Sequence, residues 1–383
     1  MNCNWVHLMT VVTAAILTST IASAAKTWTV DDSGGADYTT IQGAIDAASD
    51  GDTIQVAAGT YDEAIVMTKA LELIGNDASD TIITYTDAGS PVEQNFFLGS
   101  NSGTALTGPA TIRNFTFRNG GGLNGDYDLL KFRASAPAGD LITIRDNVFD
   151  GQSDGSAKGI EEATGAANFL ISSNEFSNMG RGIWLNEAHD GTISDNTITG
   201  MASNAIGLNP DGPHDLDITG NTLSGNGWGV ILGDGGVNIS MTWNEILNNT
   251  GAGVLYWDDE NNANDADDGT TTTNVVINNN DIVGNGDGIR AYSSYNNYGG
   301  DPPPGTVIDA RMNWWGDVSG PSGGVTDPWT AEVANGSGDS ILLTNVAFDD
   351  WRSSAIPEPA RMGLLGLGGL ALIRRRRSEY LHR

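Results

Sequence analysis

Between residues 191 and 233 the chain states one phrase twice. Ile193-Ser-Asp-Asn196-Thr-Ile198 returns as Ile218-Thr-Gly-Asn221-Thr-Leu223, and Ala205-Ile206-Gly207-Leu208 returns as Gly229-Val230-Ile231-Leu232. Self-similarity at a fixed short period is the mark of a solenoid, in which each repeat buries its apolar face only by stacking on the next. From Ile112 onward the anchors are Ile112, Ile144, Ile171, Ile193, Ile218, Met241, Ile277 and Ala310, spaced by 32, 27, 22, 25, 23, 36 and 33 residues. The short spacings define a minimal coil and the long ones a coil with an inserted loop.

Three residues after each anchor stands an asparagine: Asn147, Asn174, Asn196, Asn221, Asn244, Asn280 and Asn313, with Phe115 in that place after the first. Asparagine tolerates left-handed backbone geometry, so it suits a sharp corner between short strands. Stacked at the same corner of each coil, its amides can hydrogen-bond along the axis as a ladder. Adjacent coils then pair as parallel strands about 4.8 Å apart, with Ile and Val filling the interior. The asparagines are therefore scaffold rather than ligands.

The N-terminal part fits the same plan. Thr27-Trp28-Thr29-Val30 reads as a first strand. Thr39-x-x-Gln42 reads as a capping box opening the helical stripe Ile41, Ala44, Ile45 and Ala48, a short lid for the open end of a solenoid. Residues 36–75 resemble the start of pectin-lyase-like right-handed β-helix proteins, pectin methylesterases among them. The esterase's catalytic motifs have no counterpart downstream, so its activity does not follow. Asn313-Trp314-Trp315-Gly316-Asp317-x-Ser319-Gly320-Pro321 resembles a motif that follows the last coils of secreted β-helix proteins. The expected fold class is all-β: one single-stranded right-handed parallel β-helix of about ten coils over residues 25–354, with a short N-terminal capping helix.

The two ends read as addresses. Residues 5–21 are mostly apolar and Ala22-Ser23-Ala24 offers a small-x-small cleavage site, which makes residues 1–24 a secretory signal peptide. Residues 355–383 hold Pro357-Glu358-Pro359, then the apolar run 362–373, then Arg374, Arg375, Arg376 and Arg377. Twelve apolar residues are too few for an ordinary membrane-spanning helix, which needs about 20. The order of parts resembles the PEP-CTERM sorting signal. That resemblance implies export to the surface or extracellular matrix of a Gram-negative bacterium that makes exopolysaccharide. It also implies signal peptidase and an exosortase as partners, with only transient membrane contact. The one cysteine, Cys3, lies in the signal segment, so no disulfide is expected in the mature chain. Residues 25–356 carry 12 Lys+Arg against 46 Asp+Glu, a net charge of −34, which disfavours nucleic acid, anionic lipid and polyuronate unless a cation intervenes.

Chemistry is expected on the outward positions of the strand that follows each corner. The phrase Gly-apolar-x-apolar points Ile183, Ile206, Val230, Val254 and Ile289 inward. It leaves Trp184, Gly207, Ile231, Leu255 and Arg290 in one solvent-facing row. A second row holds Asn186, Asn209, Gly233, Trp257 and Tyr292, and Lys131, Arg133 and Glu161 fit the same strand on earlier coils. In pectin-lyase-like proteins this strand and its turn commonly line the sugar groove, so the resemblance makes Trp184, Asn186, Asn209, Trp257, Arg290 and Tyr292 candidate carbohydrate contacts. Glu187, Pro210, Asp234 and Asp258 share the following turn. One coil spacing sets Asp234 and Asp258 roughly 5 Å apart, and two set Glu187 and Asp234 roughly 10 Å apart, near the separations glycosidases use. The insertion holding Asp265, Asp267 and Asp268 is dense in oxygen ligands for Ca²⁺ but lacks EF-hand alternation. His189 and His214 fall in neighbouring turns without metal-ligand spacing in their flanks. Three functions stay open: a surface or matrix protein that binds or organises polysaccharide, a glycoside hydrolase, and a Ca²⁺-assisted polysaccharide lyase. The first leads, because the aromatic row is present and no catalytic signature is.

Overall fold

The computed structural model of the chain describes residues 24–86, 94–99, 106–120, 127–132, 141–162, 165, 167–209, 213–233, 236–257, 273–291 and 307–356. These wind as a right-handed parallel β-helix. One hydrogen-bonded sheet stacks 12 strands and a second, wrapping the remaining faces, contains 18. Repeat anchors pair in register from coil to coil: Ile112 with Ile144, then Ile171, Ile193, Ile218, Met241 and Ile277. All are fully buried. Two residues beyond each corner a second inward row begins with three stacked rings, Phe117 on Phe149 at 5.0 Å and Phe149 on Phe176 at 4.6 Å. It continues as Ile198, Leu223, Ile246 and Ile282.

The asparagine ladder runs unbroken. Asn196 N and Nδ2 both donate to Asn221 Oδ1 (3.0 and 2.9 Å), and Asn221 N and Nδ2 both donate to Asn244 Oδ1 (3.0 and 3.0 Å). The same pair of bonds joins Asn147 to Asn174, Asn174 to Asn196, Asn244 to Asn280 and Asn280 to Asn313. Each Nδ2 also reaches an anchor carbonyl of an earlier coil, as Asn221 does to Ile193 O at 2.9 Å. The sharp corner itself is made one residue earlier than the sequence suggests. Positive φ belongs to Asn114, Asp146, Ser173, Asp195, Gly220, Trp243, Asn279 and Met312, each directly before a ladder position. The ladder side chain must point inward to meet its neighbours, so the residue outside it absorbs the turn. A second ladder was not anticipated: Asn226 to Asn249 to Asn285, ending on the Asp339 carboxylate at 2.9 Å. It repeats five residues after Asn221, Asn244 and Asn280. That spacing is its signature.

The capping helix spans Ile41–Ala47 and buries Ile41, Ala44 and Ile45. Its N-cap is Thr40 rather than Thr39, with Oγ1 accepting from Gly43 N at 3.3 Å. Gln42 does not close a capping box, because its side chain pairs with Val66 and Asp46 instead. The free amides of Ile41 and Gln42 are taken by the Glu63 carboxylate at 2.9 and 3.0 Å, so a later strand region caps the helix. At the other end Trp315 is fully buried and the strand Gly338–Leu342 pairs with Asp287–Ala291.

Candidate functional site

The strand stack Gln94–Leu98, Asp128–Phe132, Val148–Glu162, Glu175–Leu185, Asn204–Leu208, Trp228–Gly233, Ala252–Trp257 and Asp287–Ala291 carries the outward row. Register places Phe97, Lys131, Glu161, Trp184, Gly207, Ile231, Leu255 and Arg290 side by side. The positions three residues before them also share this face. Asp128 pairs with Lys131, Lys158 with Glu161, Arg181 with Trp184, and Asp287 with Arg290. Each coil thus offers two outward side chains, a doubling that strict two-residue alternation hides.

One end of the face is ionic. Lys131 Nζ lies 3.0 Å from Asp128 Oδ2 and 3.5 Å from Glu161 Oε2, while Lys158 Nζ lies 2.7 Å from Glu161 Oε2 and 3.6 Å from Asp128 Oδ1. Asp128, Lys158 and Glu161 are buried. Burial first, and the Glu161 carboxylate second, push Asp128 up to about 8. Burial acts on Glu161 in the same sense, but hydrogen bonds from Asp128 and Lys158 and the two lysine charges outweigh it and hold Glu161 down at about 2. The pair therefore shares one proton across the neutral range. Beside it Glu162 is fully buried on the interior side, and its Oε2 accepts from the amides of Asn186 (3.0 Å) and Glu187 (2.9 Å). That contact fixes the turn on which the exposed Glu187 stands.

The other end is apolar, and here the expected solvent-facing row is corrected. Trp184, Ile231 and Leu255 are 7%, 6% and 1% exposed, and with Ala252 they form a second apolar cluster outside the solenoid interior. Trp228 and Trp257 pack on it half-exposed. Long rings with no coil above them fold down onto their neighbours rather than into water. Trp184 and Trp257 meet at 6.3 Å between ring centroids, and Trp184 Nε1 donates to Asn186 Oδ1 at 3.0 Å. The Arg181 guanidinium lies 4.4 Å over the Trp184 ring and has no carboxylate partner among the described residues. Trp228 escaped the sequence reading. Its place before Gly229, paired with Asn204, marks it as outward.

Of the remaining candidates, Asn209 is half-buried at the strand end, with its backbone amide on Leu185 O at 2.9 Å. Arg290 is held by Asp287 at 3.0 Å. Asp234, Asp258, Tyr292, Arg133, Pro210, the acidic residues Asp265, Asp267 and Asp268, the motif Pro357, Glu358 and Pro359, and Arg374 to Arg377 lie outside the described residues. Among the described residues no three His, Cys, Asp or Glu side chains converge as a metal cage.

Coil, ladder and capping helix together define a right-handed parallel β-helix protein. Residues 95–268 match the family model described as "Right handed beta helix region". Solved structures similar in fold include the pectin methylesterase from carrot, at 13% identity over 86% of this chain and 89% of that one, TM-score 0.47. Pectin methylesterase PemA from Erwinia chrysanthemi aligns at 12% identity over 87% and 98% of the two chains, TM-score 0.43. The A-module of mannuronan C-5 epimerase AlgE6 from Azotobacter vinelandii aligns at 15% identity over 83% and 95%, TM-score 0.38. No curated protein sequence matches the chain.

Proposed function

We propose that this protein binds and organises polysaccharide at the outward face of the Trp228–Gly233 and Ala252–Trp257 strands, as an exported surface or matrix component. The observation that carries the reading is the aromatic surface itself. Trp228 and Trp257 stand half-exposed on the buried cluster of Trp184, Ile231, Ala252 and Leu255, with Arg181 over the Trp184 ring. Planar rings held on a rigid sheet suit the apolar faces of sugar rings, and the flanking amide of Asn209 suits their hydroxyls, whereas Asn186 is taken by Trp184, Glu161 and Glu162. Lys131, Lys158 and Arg290 are already matched by Asp128, Glu161 and Asp287. The lysines and Arg290 of the face are engaged by its carboxylates and the body around it is acidic, which favours a neutral glycan over a polyanion. Export rests on the signal-like residues 1–24 and the PEP-CTERM-like residues 355–383, with exosortase as the processing partner. Ca²⁺ at Asp265, Asp267 and Asp268 would belong to the acidic segment that follows Trp257 in the sequence.

Affinity electrophoresis of the full chain against neutral and uronate polysaccharides tests the reading. Retardation by a neutral glycan, lost on Trp257→Ala and Trp228→Ala, is the expected result. Equal retardation of wild type and both variants would sink it. A second reading, hydrolysis by the carboxylates of the adjoining turn, is favoured by the exposed position of Glu187 directly after Asn186. New reducing ends that disappear on Glu187→Gln, Asp234→Asn or Asp258→Asn would put it first, and unsaturated products would favour the lyase.

A further inference from the structure

The sequence holds 4 histidines, and the two that lie away from its ends, His189 and His214, are set against each other by the fold. They pair in register on adjacent parallel strands, with rings parallel to within 5° and centroids 4.9 Å apart. Each Nδ1 meets the carboxylate of the following residue, Asp190 Oδ2 at 2.9 Å and Asp215 Oδ2 at 2.8 Å. Consecutive residues of a strand normally point to opposite faces. Asp190 and Asp215 escape that rule because both are left-handed, at φ 53° and 54°, which brings each carboxylate round to its own histidine. Asp215 is further steadied by Asn238 Nδ2 at 2.6 Å.

A carboxylate at Nδ1 fixes the proton there and leaves Nε2 as the basic nitrogen, the arrangement that second-shell carboxylates give metal-binding histidines. Neither Nε2 has a partner among the described residues, and the side chains are 32% and 44% exposed. The flanking coils present Ala167 and Val237 at the same position, so the pair is confined to two nitrogens. We propose that His189 and His214 form a two-imidazole site for a borderline divalent transition-metal ion, copper(II) foremost and zinc more weakly, with water in the remaining positions. Bonds of about 2.0–2.1 Å require the Nε2 atoms to close to within about 4 Å, with the rings turned from their parallel stack until the two in-plane lone pairs converge on the ion at about a right angle or more. Half-exposed side chains allow that tilt. The acidic body concentrates the cation, and the ligand order of divalent ions sets copper above nickel and zinc.

The site is independent of the polysaccharide reading. Titration of untagged full chain with Cu²⁺ alone, and separately with Zn²⁺ alone, tests it by calorimetry and, for copper, by electron paramagnetic resonance. His7 and His382 stay in every variant as a shared background. Expected are one copper per chain with two-imidazole nitrogen hyperfine structure, and one-imidazole structure in His189→Ala or His214→Ala. Each variant should lose roughly tenfold or more in affinity, because the second nitrogen binds intramolecularly. Asp190→Asn and Asp215→Asn should weaken binding while leaving both nitrogens bound. Circular dichroism controls for folding of these half-exposed variants. Copper bound equally well by the double variant His189→Ala/His214→Ala, or a wild type showing one imidazole, overturns the proposal.

Discussion

The ring of Trp184 occupies the space in which a side chain at Gly207 would stand: a Cβ on residue 207 would fall 2.2 Å from Trp184 Cε3 and 2.4 Å from Cζ3. Glycine in this coil is what lets the aromatic lie down across the sheet. Gly207→Val should therefore expel the ring, cost about 1–3 kcal/mol by overpacking, and red-shift the tryptophan emission. Urea unfolding and fluorescence measure both. An unshifted spectrum with unchanged stability would remove the steric argument.

Asn221 accepts from Asn196 N and Nδ2 and donates to Asn244 Oδ1 and Ile193 O, all in the dry interior. Asn221→Leu leaves several of these groups without partners. A loss of roughly 2–4 kcal/mol is expected, from about 1–3 kcal/mol per stranded buried group with partial relaxation. Exposed Asn335→Leu, at a position that is not left-handed, serves as the comparison and should cost far less in chemical denaturation.

The Asp128–Glu161 pair gives a signed pH dependence. Asp128 is raised from an ordinary 3.8 to about 8, so its stabilising contribution is whole below about pH 4 and drains away as pH climbs to about 8. Glu161 is lowered from 4.5 to about 2, so its contribution is whole above about pH 4.5 and is lost on acidification toward pH 2. Asp128→Asn keeps a neutral donor in place and should abolish the decline between pH 5 and pH 8. Urea midpoints at those two pH values decide it, and an undiminished difference would reassign the slope.

Trp243 occupies the left-handed corner at φ 60° while half its surface is exposed. Left-handed geometry costs a non-glycine residue about 1–2 kcal/mol, least for asparagine, which fills the same corner at Asn114 and Asn279. Trp243→Asn should raise stability by about 0.5–1 kcal/mol, read as a higher melting temperature. A lower one would mean that the ring contributes packing the corner needs.

The scaffold was legible because stacking converts a sequence period into position. Once Ile193 is aligned with Ile218, the inward anchor row and every amide of the main ladder follow, though not the second ladder five residues further on. The site was less legible. Alternation correctly put Trp184 and Leu255 outside the solenoid but could not tell outside from exposed, which depends on whether neighbouring rings lie over them. Lys158 and Asp128 went unnoticed because the chain breaks alternation and sends residues three apart to one face. The left-handed corner was misplaced by one residue for a similar reason: asparagine suits both an αL turn and an inward ladder, and only packing decides which role it takes.

Every amide of the main ladder donates toward the later coil, starting with the bare Phe115 amide on Asn147 Oδ1 at 3.1 Å and finishing at Asn313. Such a chain has a direction but no preferred length, since each link needs only an acceptor ahead and a donor behind. Removing or doubling one whole coil, Ile193 to the residue before Ile218, leaves every junction of the main ladder chemically the same. The molecule is thus a rod whose reach can change in single-coil steps, with the capping helix at one end and Trp315 at the other untouched.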